Sequence, residues 1–595
     1  MPGIWNTLQN VTSLVSALTP HQQCGDSVFG TLQAPTFPQS LTDNPMPNGF
    51  PWGTRTPQNS DATNINDIPN TGVTRYYDFS IARAVISPDG VPRDSILVNG
   101  QFPGPTIEAN WGDYIQVTVH NKIENPVEGT SLHWHGMLQR ETPWYDGVPS
   151  VSQCPIAPGA TFTYRFRADQ YGSSWYHAHY SAQYNAGVLG PMVVYGPTNL
   201  QYDIDIGPII LSDWYHIPYF QIVENTVGTD MTKLPPVSDN NLINGRNNFD
   251  CSTLPKGSNL TCTPNAGFSK FMFQKGKSHR LRLVNTGADG VQKFSIDGHN
   301  LTIIAQDMVP VKPYNVSVVT LGVAQRTDVV VYMSDEEWDA IWMRAEIFGG
   351  VTCGGSSAGL ALAAIYFDNA TETASTIPTT TSEVEPTGCA NDHIGLAEPE
   401  YSILPSNPTF TEYLAITLTL NETGHFEWQI NGQTFRANFN YPLLQLASQG
   451  NTSYPNDPEW NVYNYGQNQS MRYVIQNETP FTHPFHIHGH NMYILDEGPG
   501  PWNGTYDMVN RYNPSRRDTQ IIQGFGYLVM QIEADNPGVW PFHCHVAWHL
   551  SGGLSINIMS RPSDIPSIPD IMPQTCNDWD DYSAANVVHQ IDAGS

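Results

Sequence analysis

The chain has 595 residues, and 26 basic against 55 acidic residues give it a formal net charge of -29. Such an acidic chain argues against nucleic acid or anionic lipid as a partner. Because no run of about eighteen apolar residues occurs, a membrane-spanning helix is excluded as well. The length is enough for about three or four domains of ordinary size with sizeable cores.

The first 73 residues are predicted to form an irregular N-terminal extension. Residues 31–73 are rich in Pro, Asn and Thr, which favour turns and loops. Residues 1–20 lack a basic leading region and a continuous apolar core, so they make a poor signal peptide. Either the true leader is missing or the export route is unusual.

From residue 74 onward the pattern is typical of short β-strands. Residues 115–119 and 162–166 alternate apolar with polar side chains, which is the period of two that strands show. With 49 Gly and 47 Pro to form turns, this pattern predicts an all-β chain of sandwiches rather than βα units.

A weak internal repeat suggests that one β module occurs three times. An apolar-Asn-Gly triplet stands at residues 98–100, 243–245 and 430–432, and each is followed by an apolar stretch ending in Asn121, Asn285 or Asn477. We therefore predict related modules at residues 74–198, 199–370 and 391–595. Residues 371–390, rich in Thr, Ser, Pro and Glu, are predicted to be a linker between the last two.

Four His-x-His pairs are the main chemical signal: His133 and His135, His177 and His179, His486 and His488, and His543 and His545. In a strand, alternate side chains share a face, so each pair projects two imidazoles in one direction. A single pair of this kind is usually an ordinary surface or core pair. Eight such imidazoles together predict a cluster of several metal ions rather than one.

Cys544 lies between His543 and His545 and projects to the other face of the strand, so one segment contacts two sites. A thiolate combined with imidazoles suits copper, and two His with one Cys form the pattern of a mononuclear electron-transfer site. We expect His483 and His549 to complete that site. His490 is interpreted as a spare, since residues 486–490 allow two registers. The middle module carries only unpaired histidines, so we expect it to space the other two modules and to contribute a pocket wall.

At these residues the chain resembles the multicopper oxidases, and more narrowly the laccases of ascomycete type. The resemblance covers most of the chain from about Arg75 onward and implies cupredoxin-like Greek-key domains. Four blocks carry it: His133-Trp134-His135-Gly136, Trp175-Tyr176-His177-Ala178-His179, His483-Pro484-Phe485-His486-Ile487-His488-Gly489 and His543-Cys544-His545-Val546-Ala547-Trp548-His549.

The resemblance implies four copper ions: one type 1, one type 2 and a binuclear type 3 pair. Each ion takes the ligands that match the motif positions. The implied sets are His483, Cys544 and His549 for type 1; His133 and His486 for type 2; His135, His177 and His543 for one type 3 ion; and His179, His488 and His545 for the other. Leu554 faces the axial position of type 1, and because a hydrocarbon cannot donate to copper, we expect a raised potential.

The other cysteines indicate disulfide bonds and an extracellular protein. Cys251 with Cys262, and Cys353 with Cys389, are plausible local bridges, although the sequence does not fix the connectivity. The resemblance implies that Cys154 pairs with Cys576, which leaves Cys24 over. Ten Asn-x-Ser/Thr sequons favour a secreted glycoprotein: Asn10, Asn259, Asn300, Asn315, Asn369, Asn421, Asn451, Asn468, Asn477 and Asn503.

The resemblance also implies a route for electrons and a pocket for an aromatic substrate. Electrons enter through His549, next to an exposed Trp548, and pass through Cys544 to His543 and His545, where dioxygen is reduced to water. Aromatic walls suit phenols, and the matching positions are Trp548, Phe481, Phe426 and Trp428. Relatives often place a carboxylate in this pocket where Asn265 stands here.

Three features outside the four motifs each have two interpretations. Asp113 is either a proton relay beside the type 2 ion or a turn residue that caps local amides. Asp518 is interpreted as part of a structural ion pair rather than as a proton relay. The last residues, Asp592 to Ser595, partly match a tail that enters the solvent channel of relatives, and the alternative is a loose end.

The sequence is thus interpreted as a secreted, monomeric laccase that oxidises phenols or aromatic amines and reduces dioxygen. One alternative is another multicopper oxidase, acting on ascorbate, bilirubin or a metal ion. A ferroxidase would want acidic residues aimed at the type 1 histidines, and the sequence shows no such cluster. A second alternative is a copper-binding or electron-transfer protein without turnover, which would not need all eight cluster imidazoles.

Overall fold

A computed structural model describes residues 25–42, 49–335, 339–367, 377–382, 384, 387–505 and 508–595. Cys24, the sequons at Asn10 and Asn369, and much of the predicted linker lie outside these residues. The described chain is built mainly of strands, so the all-β prediction is confirmed.

The first sheet pair consists of a six-stranded sheet in the order β1-β4-β3-β2-β6-β8 and a four-stranded sheet in the order β5-β10-β9-β7. Its strands are β1 (Gly25–Asp26), β2 (Thr74–Ile86), β3 (Arg93–Val98), β4 (Gln101–Phe102), β5 (Ile107–Asn110), β6 (Tyr114–Asn121), β7 (Leu132–Trp134), β8 (Thr161–Arg167), β9 (Gly172–Ala178) and β10 (Leu189–Tyr195).

The middle sheet pair consists of sheets ordered β13-β11-β15-β20-β17-β18 and β14-β23-β21-β16-β19, and β12 pairs with β22 beside them. Its strands are β11 (Ile204–Trp214), β12 (Val237–Ser238), β13 (Asn240–Ile243), β14 (Ser269–Phe273), β15 (Ser278–Asn285), β16 (Gln292–Ile296), β17 (Leu301–Gln306), β18 (Val309–Val316), β19 (Val319–Leu321), β20 (Arg326–Tyr332), β21 (Ala340–Ile347), β22 (Gly355–Ser356) and β23 (Leu360–Phe367).

The third sheet pair consists of sheets ordered β25-β24-β27-β32-β29-β30 and β26-β34-β33-β28-β31. Its strands are β24 (Phe410–Leu420), β25 (Phe426–Ile430), β26 (Val462–Asn464), β27 (Ser470–Asn477), β28 (His483–Ile487), β29 (Met492–Pro499), β30 (Arg516–Arg517), β31 (Thr519–Ile522), β32 (Gly526–Glu533), β33 (Gly538–Cys544) and β34 (Ser555–Ser560).

Short helices connect these strands. The α-helices are α1 (Gln183–Ala186), α2 (Tyr219–Val227), α3 (Leu443–Ser448), α4 (Ala547–Ser551) and α5 (Ile571–Ala585), and single 3-10 turns span Pro143–Tyr145, Met231–Lys233, Cys251–Thr253, Gly350–Cys353, Ile394–Leu396, Pro458–Trp460 and Pro562–Asp564. Of the helices described, none is long and apolar enough to cross a membrane.

The sequence repeat corresponds to the same local structure in all three sheet pairs. Asn99, Asn244 and Asn431 each adopt a positive φ, of 51°, 47° and 52°, as the Asn of an Asn-Gly turn does. The strand that follows, β6, β15 or β27, ends in an Asn whose side-chain amide donates to two loop carbonyls. Asn477 is one of these and is fully buried, so this predicted sequon cannot carry a glycan in the folded protein.

The hydrophobic cores are not divided equally among the sheet pairs. One continuous cluster of buried side chains runs through the first and third sheet pairs and takes in a few middle residues such as Trp214 and Leu242, whereas most of the middle sheet pair has a separate core built on residues such as Leu283, Phe294 and Val329. Burial of apolar surface is the main stabilising term in folding. The first and third sheet pairs therefore stabilise each other directly.

Three disulfide bonds join the predicted partners. Cys251 pairs with Cys262, and Cys353 pairs with Cys389. Cys154 pairs with Cys576, 422 residues away, and so attaches α5 to the first sheet pair. The three pairings are confirmed, and Cys544 is a free, buried thiol.

Candidate metal centre

Two strand pairs bring the four His-x-His segments together. β7 and β9 are antiparallel neighbours with His133 opposite His177, and β28 and β33 are antiparallel neighbours with His486 opposite His543. The first strand pair belongs to the first sheet pair and the second to the third. The histidines therefore meet where the shared core of these two sheet pairs is continuous.

The eight predicted imidazoles form one buried group, called here the histidine cluster: His133, His135, His177, His179, His486, His488, His543 and His545. Each of these residues is at most 3% exposed. Ring centroids lie 3.8 Å apart for His135 and His486, and 5.1 Å apart for His177 and His545. The structure therefore brings the four motifs together.

The free nitrogens of the cluster show that it suits a metal. Within the part of the chain that the structure describes, Nε2 of His133, His177, His179 and His486, Nδ1 of His135 and both ring nitrogens of His545 are buried without a hydrogen-bond partner. Buried polar atoms are normally paired. An inward ring nitrogen left unpaired on each of these histidines is the donor set that copper or another imidazole-binding metal requires.

The protonation state of the cluster agrees with this interpretation. Burial, helped by neighbouring imidazoles, holds the pKa of His177, His179 and His488 well below the usual range and lowers the pKa of His543 to about 3. These rings are therefore neutral at ordinary pH, and each offers a lone pair to a cation.

The grouping of the ligands corrects one assignment made from the sequence. His545 groups with His135 and His177, while His543 groups with His179 and His488, so the assignment of His543 and His545 to the two type 3 ions was wrong and must be exchanged. His543 is still inside β33, and its Nε2 lies 3.0 Å from Nε2 of His488. His545 lies beyond the end of that strand and turns toward the first sheet pair, 5.1 Å from His135 between ring centroids.

Two buried carboxylates fix the outer edges of the rings. Asp146 accepts from Nδ1 of His488 at 2.8 Å and lies 3.3 Å from Nδ1 of His133. Asp518 accepts from Nε2 of His135 at 3.1 Å. Because these contacts occupy the outer nitrogens, the other nitrogen of each ring faces the cluster. Such partners orient ligands and tune a metal site.

Sequence reasoning missed Asp146 and gave Asp518 only part of its role. Asp518 does form the predicted ion pair, with both oxygens 2.6 Å from the guanidinium of Arg326, but it also contacts the cluster. Asp146 stands in a turn ten residues after the first motif has ended at Gly136. No pattern in the sequence distinguishes it from other turn aspartates.

Asp113 had two open interpretations, a proton relay or a turn residue that caps local amides. Its contacts agree with the second. Its carboxylate accepts from Thr71 Oγ1 at 2.6 Å, from Arg75 Nε at 2.7 Å and from the Asn110 amide at 3.0 Å. It therefore caps a local turn within the first sheet pair. None of the contacts described for Asp113 involves the histidine cluster, beside which Asp146 lies instead.

The second metal site, called here the thiolate site, consists of His483, Cys544 and His549. Cys544 Sγ lies 3.4 Å from His483 Nδ1 and 3.5 Å from His549 Nδ1. Burial raises the pKa of Cys544 well above its usual range and lowers the pKa of His549 to about 3. The thiolate is therefore unfavourable here unless a cation neutralises it, which fits a metal ligand.

Leu554 is held beside the thiolate site by its backbone. Its carbonyl accepts from the Cys544 amide at 3.1 Å, and its amide donates to the His549 carbonyl at 3.1 Å. The residue is fully buried. These two bonds connect the backbone of Leu554 to two members of the site, and the axial position of its side chain stays a prediction.

Aromatic rings surround the partly exposed His549. The Trp428 ring lies 4.2 Å from the His549 ring, and the Phe481 ring lies 5.9 Å from it. Phe426 is two residues before Trp428 on β25 and lines a neighbouring cavity of about 430 Å³ together with Gly552. Three of the four predicted aromatic residues are therefore on this side of the thiolate site.

Trp548 departs from the prediction. It is only 2% exposed, and its Nε1 donates to the Tyr215 hydroxyl of the middle sheet pair at 3.0 Å. β33 ends at Cys544 and α4 begins at Ala547, so strand alternation no longer governs where this side chain points. Trp548 contributes to the interface with the middle sheet pair and is not an exposed wall.

The remaining predicted positions lie outside the metal groups. His490 donates from Nδ1 to the His488 carbonyl at 3.1 Å and packs against Trp540, as a spare histidine would. In the middle sheet pair, His216 bonds Asp89 at 2.8 Å. Asn265 is exposed and lies in the loop before β14 with a φ of 57°.

The C-terminal residues are docked on the site, which contradicts the loose-end alternative. The Ala593 amide donates to the Ser551 carbonyl, and its carbonyl accepts from the Ala437 amide, both at 2.8 Å. Asp592 accepts from the Ser181 hydroxyl at 2.6 Å, and the Ser595 hydroxyl lies 3.0 Å from Nδ1 of His179. The tail therefore reaches the histidine cluster.

Comparisons with known proteins agree with this geometry. Family profiles described as multicopper oxidase match residues 80–199, 205–369 and 417–564, and the chain therefore belongs to the multicopper oxidase family. It is 35% identical to Laccase-2 of Botryotinia fuckeliana over 98% of this chain and 99% of that protein. It is 36% identical to Laccase-1 of Melanocarpus albomyces over 94% and 90%.

Solved structures extend the likeness to the fold. The laccase from Botrytis aclada superimposes with a TM-score of 0.82 at 33% identity, covering 91% of this chain and 98% of that one. Fet3p, a multicopper oxidase that functions in iron import, superimposes with a TM-score of 0.75 at 24% identity over 88% and 98%, which bears on the fold alone. The chain is a multicopper oxidase of laccase type, and the cupredoxin-like fold is confirmed.

Proposed function

We propose that the protein is a secreted laccase that removes one electron at a time from phenols or aromatic amines and reduces dioxygen to water. The observation that carries the proposal is the segment His543-Cys544-His545. It places the sulfur of the thiolate site and two imidazoles of the histidine cluster on adjacent residues. A protein that only stored copper would not need two different buried sites joined in this way.

We propose four copper ions, because the ligand atoms of these histidines and of Cys544 fall into compact groups of three that suit them. The residues that would hold them are His483, Cys544 and His549 for type 1; His133 and His486 for type 2; His135, His177 and His545 for one type 3 ion; and His179, His488 and His543 for the other. When bound, copper at these residues supplies one-electron oxidation at the first site and reduction of dioxygen at the others.

The chain's own residues determine access and orientation. His549 is the partly exposed member of the thiolate site, and Trp428 and Phe481 give a substrate ring an apolar surface beside it. Asp146 and Asp518 keep the cluster rings turned inward. Asp592 is buried, and burial raises the pKa of its carboxyl above the usual range, so it binds a proton more readily than an exposed aspartate does.

The aromatic surroundings favour a phenol over a metal ion as the substrate. The ring neighbours described for His549 are Trp428, Phe481 and His483, and such rings suit contact with a phenol. Glu427 and Glu459 line the cavity that Phe426 shares, so oxidation of a metal ion stays an alternative. Ascorbate or bilirubin oxidation stays as the alternative within the same family.

We also propose an extracellular, monomeric protein with domains at residues 74–198, 199–370 and 391–595. Three disulfide bonds suit an oxidising compartment, and the strands group into sheet pairs on either side of these boundaries. The net charge of -29 favours neither nucleic acid nor an anionic membrane as a partner.

The test is oxygen consumption by the copper-loaded protein with phenols, ascorbate, bilirubin and ferrous iron side by side. A catalytic efficiency highest for phenols, with four copper ions per chain and water as the product, supports the proposal. A preference for iron or ascorbate, or the absence of oxygen uptake with every reductant, contradicts it.

A further inference from the structure

A network of four buried charged residues connects the middle sheet pair to the segment that flanks the histidine cluster. Asp307 and Arg326 belong to the middle sheet pair, and Arg517 and Asp518 lie at β30 and just before β31. All four are at most 2% exposed. The middle sheet pair provides none of the histidines of the two metal sites, yet half of this network comes from it.

Asp307 is the centre of the network and is fully occupied as an acceptor. It takes two bonds from the Arg517 guanidinium, both at 3.0 Å. It also accepts from the backbone amides of Asp518 and Thr519 at 3.2 Å each and from the Arg326 amide at 3.0 Å. Its own backbone has a positive φ of 52°, which is uncommon outside glycine.

The contacts of Asp307 lead directly to two cluster rings. By holding the amides of residues 518 and 519, Asp307 fixes the backbone from which both side chains project. The Asp518 carboxylate then accepts from His135 at 3.1 Å, and the Thr519 hydroxyl lies 3.1 Å from Nδ1 of His486. The Arg326 guanidinium donates two hydrogen bonds of 2.6 Å to the Asp518 carboxylate.

We propose that Asp307 is a positioning residue through which the middle domain sets the type 2 copper site. Its carboxylate holds residues 518 and 519 so that His486, a ligand of the type 2 ion, presents its free nitrogen at the correct place. His135, which the same segment positions, lies in one ligand group with His133 and His486 as well as in that of the neighbouring type 3 ion. The inference rests on the proposed function, since it presumes a copper ion at His133 and His486. A purely stabilising network would have no effect on that ion beyond a general loss of stability.

The test is Asp307→Asn, because Asn tolerates a positive φ and has nearly the same size. The matched control is Asp297→Asn. Asp297 is a buried acceptor in the same sheet pair, bonded to the Arg344 guanidinium at 2.7 and 2.9 Å and to Thr380 at 2.8 Å, and no contact described for it reaches the histidine cluster.

Three quantities are measured on each copper-loaded protein: copper per chain, the paramagnetic resonance signal of type 2 copper, and the blue absorption of the thiolate site. For Asp307→Asn we expect an altered type 2 signal and about 10- to 100-fold weaker retention of that ion, the usual effect of losing such a partner, with the blue absorption unchanged. Asp297→Asn should leave all three as in the wild type.

Arg517→Lys is the second variant if Asp307→Asn does not fold. It keeps the positive charge next to Asp307 but loses the bidentate hydrogen bonds of the guanidinium. A change of the type 2 signal in the same direction as in Asp307→Asn, but smaller, supports the proposal. A wild-type signal in the folded variants, or the same change in Asp297→Asn, overturns it. If the wild type itself has no type 2 signal, the proposed function fails instead.

Discussion

Replacing Asp146 with Asn tests whether this carboxylate, which the sequence did not reveal, governs copper retention. Asp146 is fully buried and accepts from His488 at 2.8 Å while lying 3.3 Å from His133. Asn keeps an oxygen for the His488 N–H, and the His133 N–H stays bonded to the backbone carbonyl of residue 146 at 2.7 Å. The bond from His488 therefore exchanges a charged acceptor for a neutral one.

The expected size of the effect follows from the lost charge of the acceptor. A hydrogen bond to a charged group contributes about 1.5–3 kcal/mol and a neutral one about 0.5–1.5 kcal/mol, and a difference of about 1.4 kcal/mol corresponds to a factor of ten in affinity. We therefore expect copper at the histidine cluster to be held about 10-fold more weakly. The thiolate site, which does not contact Asp146, should keep its blue absorption.

The assay is titration of copper-loaded protein with a chelator, followed by counting the copper that remains. Asp113→Asn is the matched control, because Asp113 is equally buried but bonds Thr71 and Arg75 instead of histidines. Equal copper retention in Asp146→Asn and the wild type would refute the reasoning. So would an equal loss in Asp113→Asn, which would show that any buried carboxylate in this sheet pair has the effect.

Cys544→Ser should abolish the blue absorption and substrate oxidation while copper remains at the histidine cluster; a persistent blue band would rule out Cys544 as the sulfur ligand. Leu554→Met should lower the potential of the thiolate site by adding a thioether donor and should cost less than about 1.5 kcal/mol of stability; an unchanged potential in redox titration would show that Leu554 is not axial. Deletion of residues 592–595 should change aerobic turnover more than anaerobic reduction of the blue band, because Ser595 contacts His179 of the histidine cluster, whereas no contact described for the tail reaches a ligand of the thiolate site; identical rates would remove the tail from the mechanism. Burial raises the pKa of Glu497 from 4.5 to about 7, so its contribution to the free energy of unfolding is fully present below about pH 4.5 and is lost as the pH rises through about 7. Glu497→Gln keeps an acceptor for Gln520, so its free energy of unfolding should equal that of the wild type at low pH and exceed it by at most about 3 kcal/mol in alkaline solution. Thermal unfolding across this pH range would detect or exclude that difference.

Features of the site that depend on local periodicity could be predicted from the sequence. The period of two in a strand places both histidines of each pair on one face, and this was enough to bring eight imidazoles together. The exchange of His543 and His545 could not be foreseen, because it depends on β33 ending at Cys544. Trp548 was misplaced for the same reason.

Residues that act through long-range contacts were not predictable in the same way. Asp146 and Asp307 each stand in a turn, and nothing beside them in the sequence marks them as special. Their roles arise from partners more than 200 residues away, as with Asp307 and Arg517, which are separated by 210 positions. Such contacts are set by how whole sheets pack, which local patterns do not encode.

The division of the cores has a consequence for how the protein is made. The first and third sheet pairs share one core, although the middle sheet pair lies between them in the chain. The first sheet pair therefore cannot complete its core until the third sheet pair has been synthesised. The disulfide across 422 residues closes only at that stage, and long-range closure of this kind is slow. Copper loading must then follow synthesis of the third sheet pair, which provides half of the histidine cluster and the ligand group of the thiolate site.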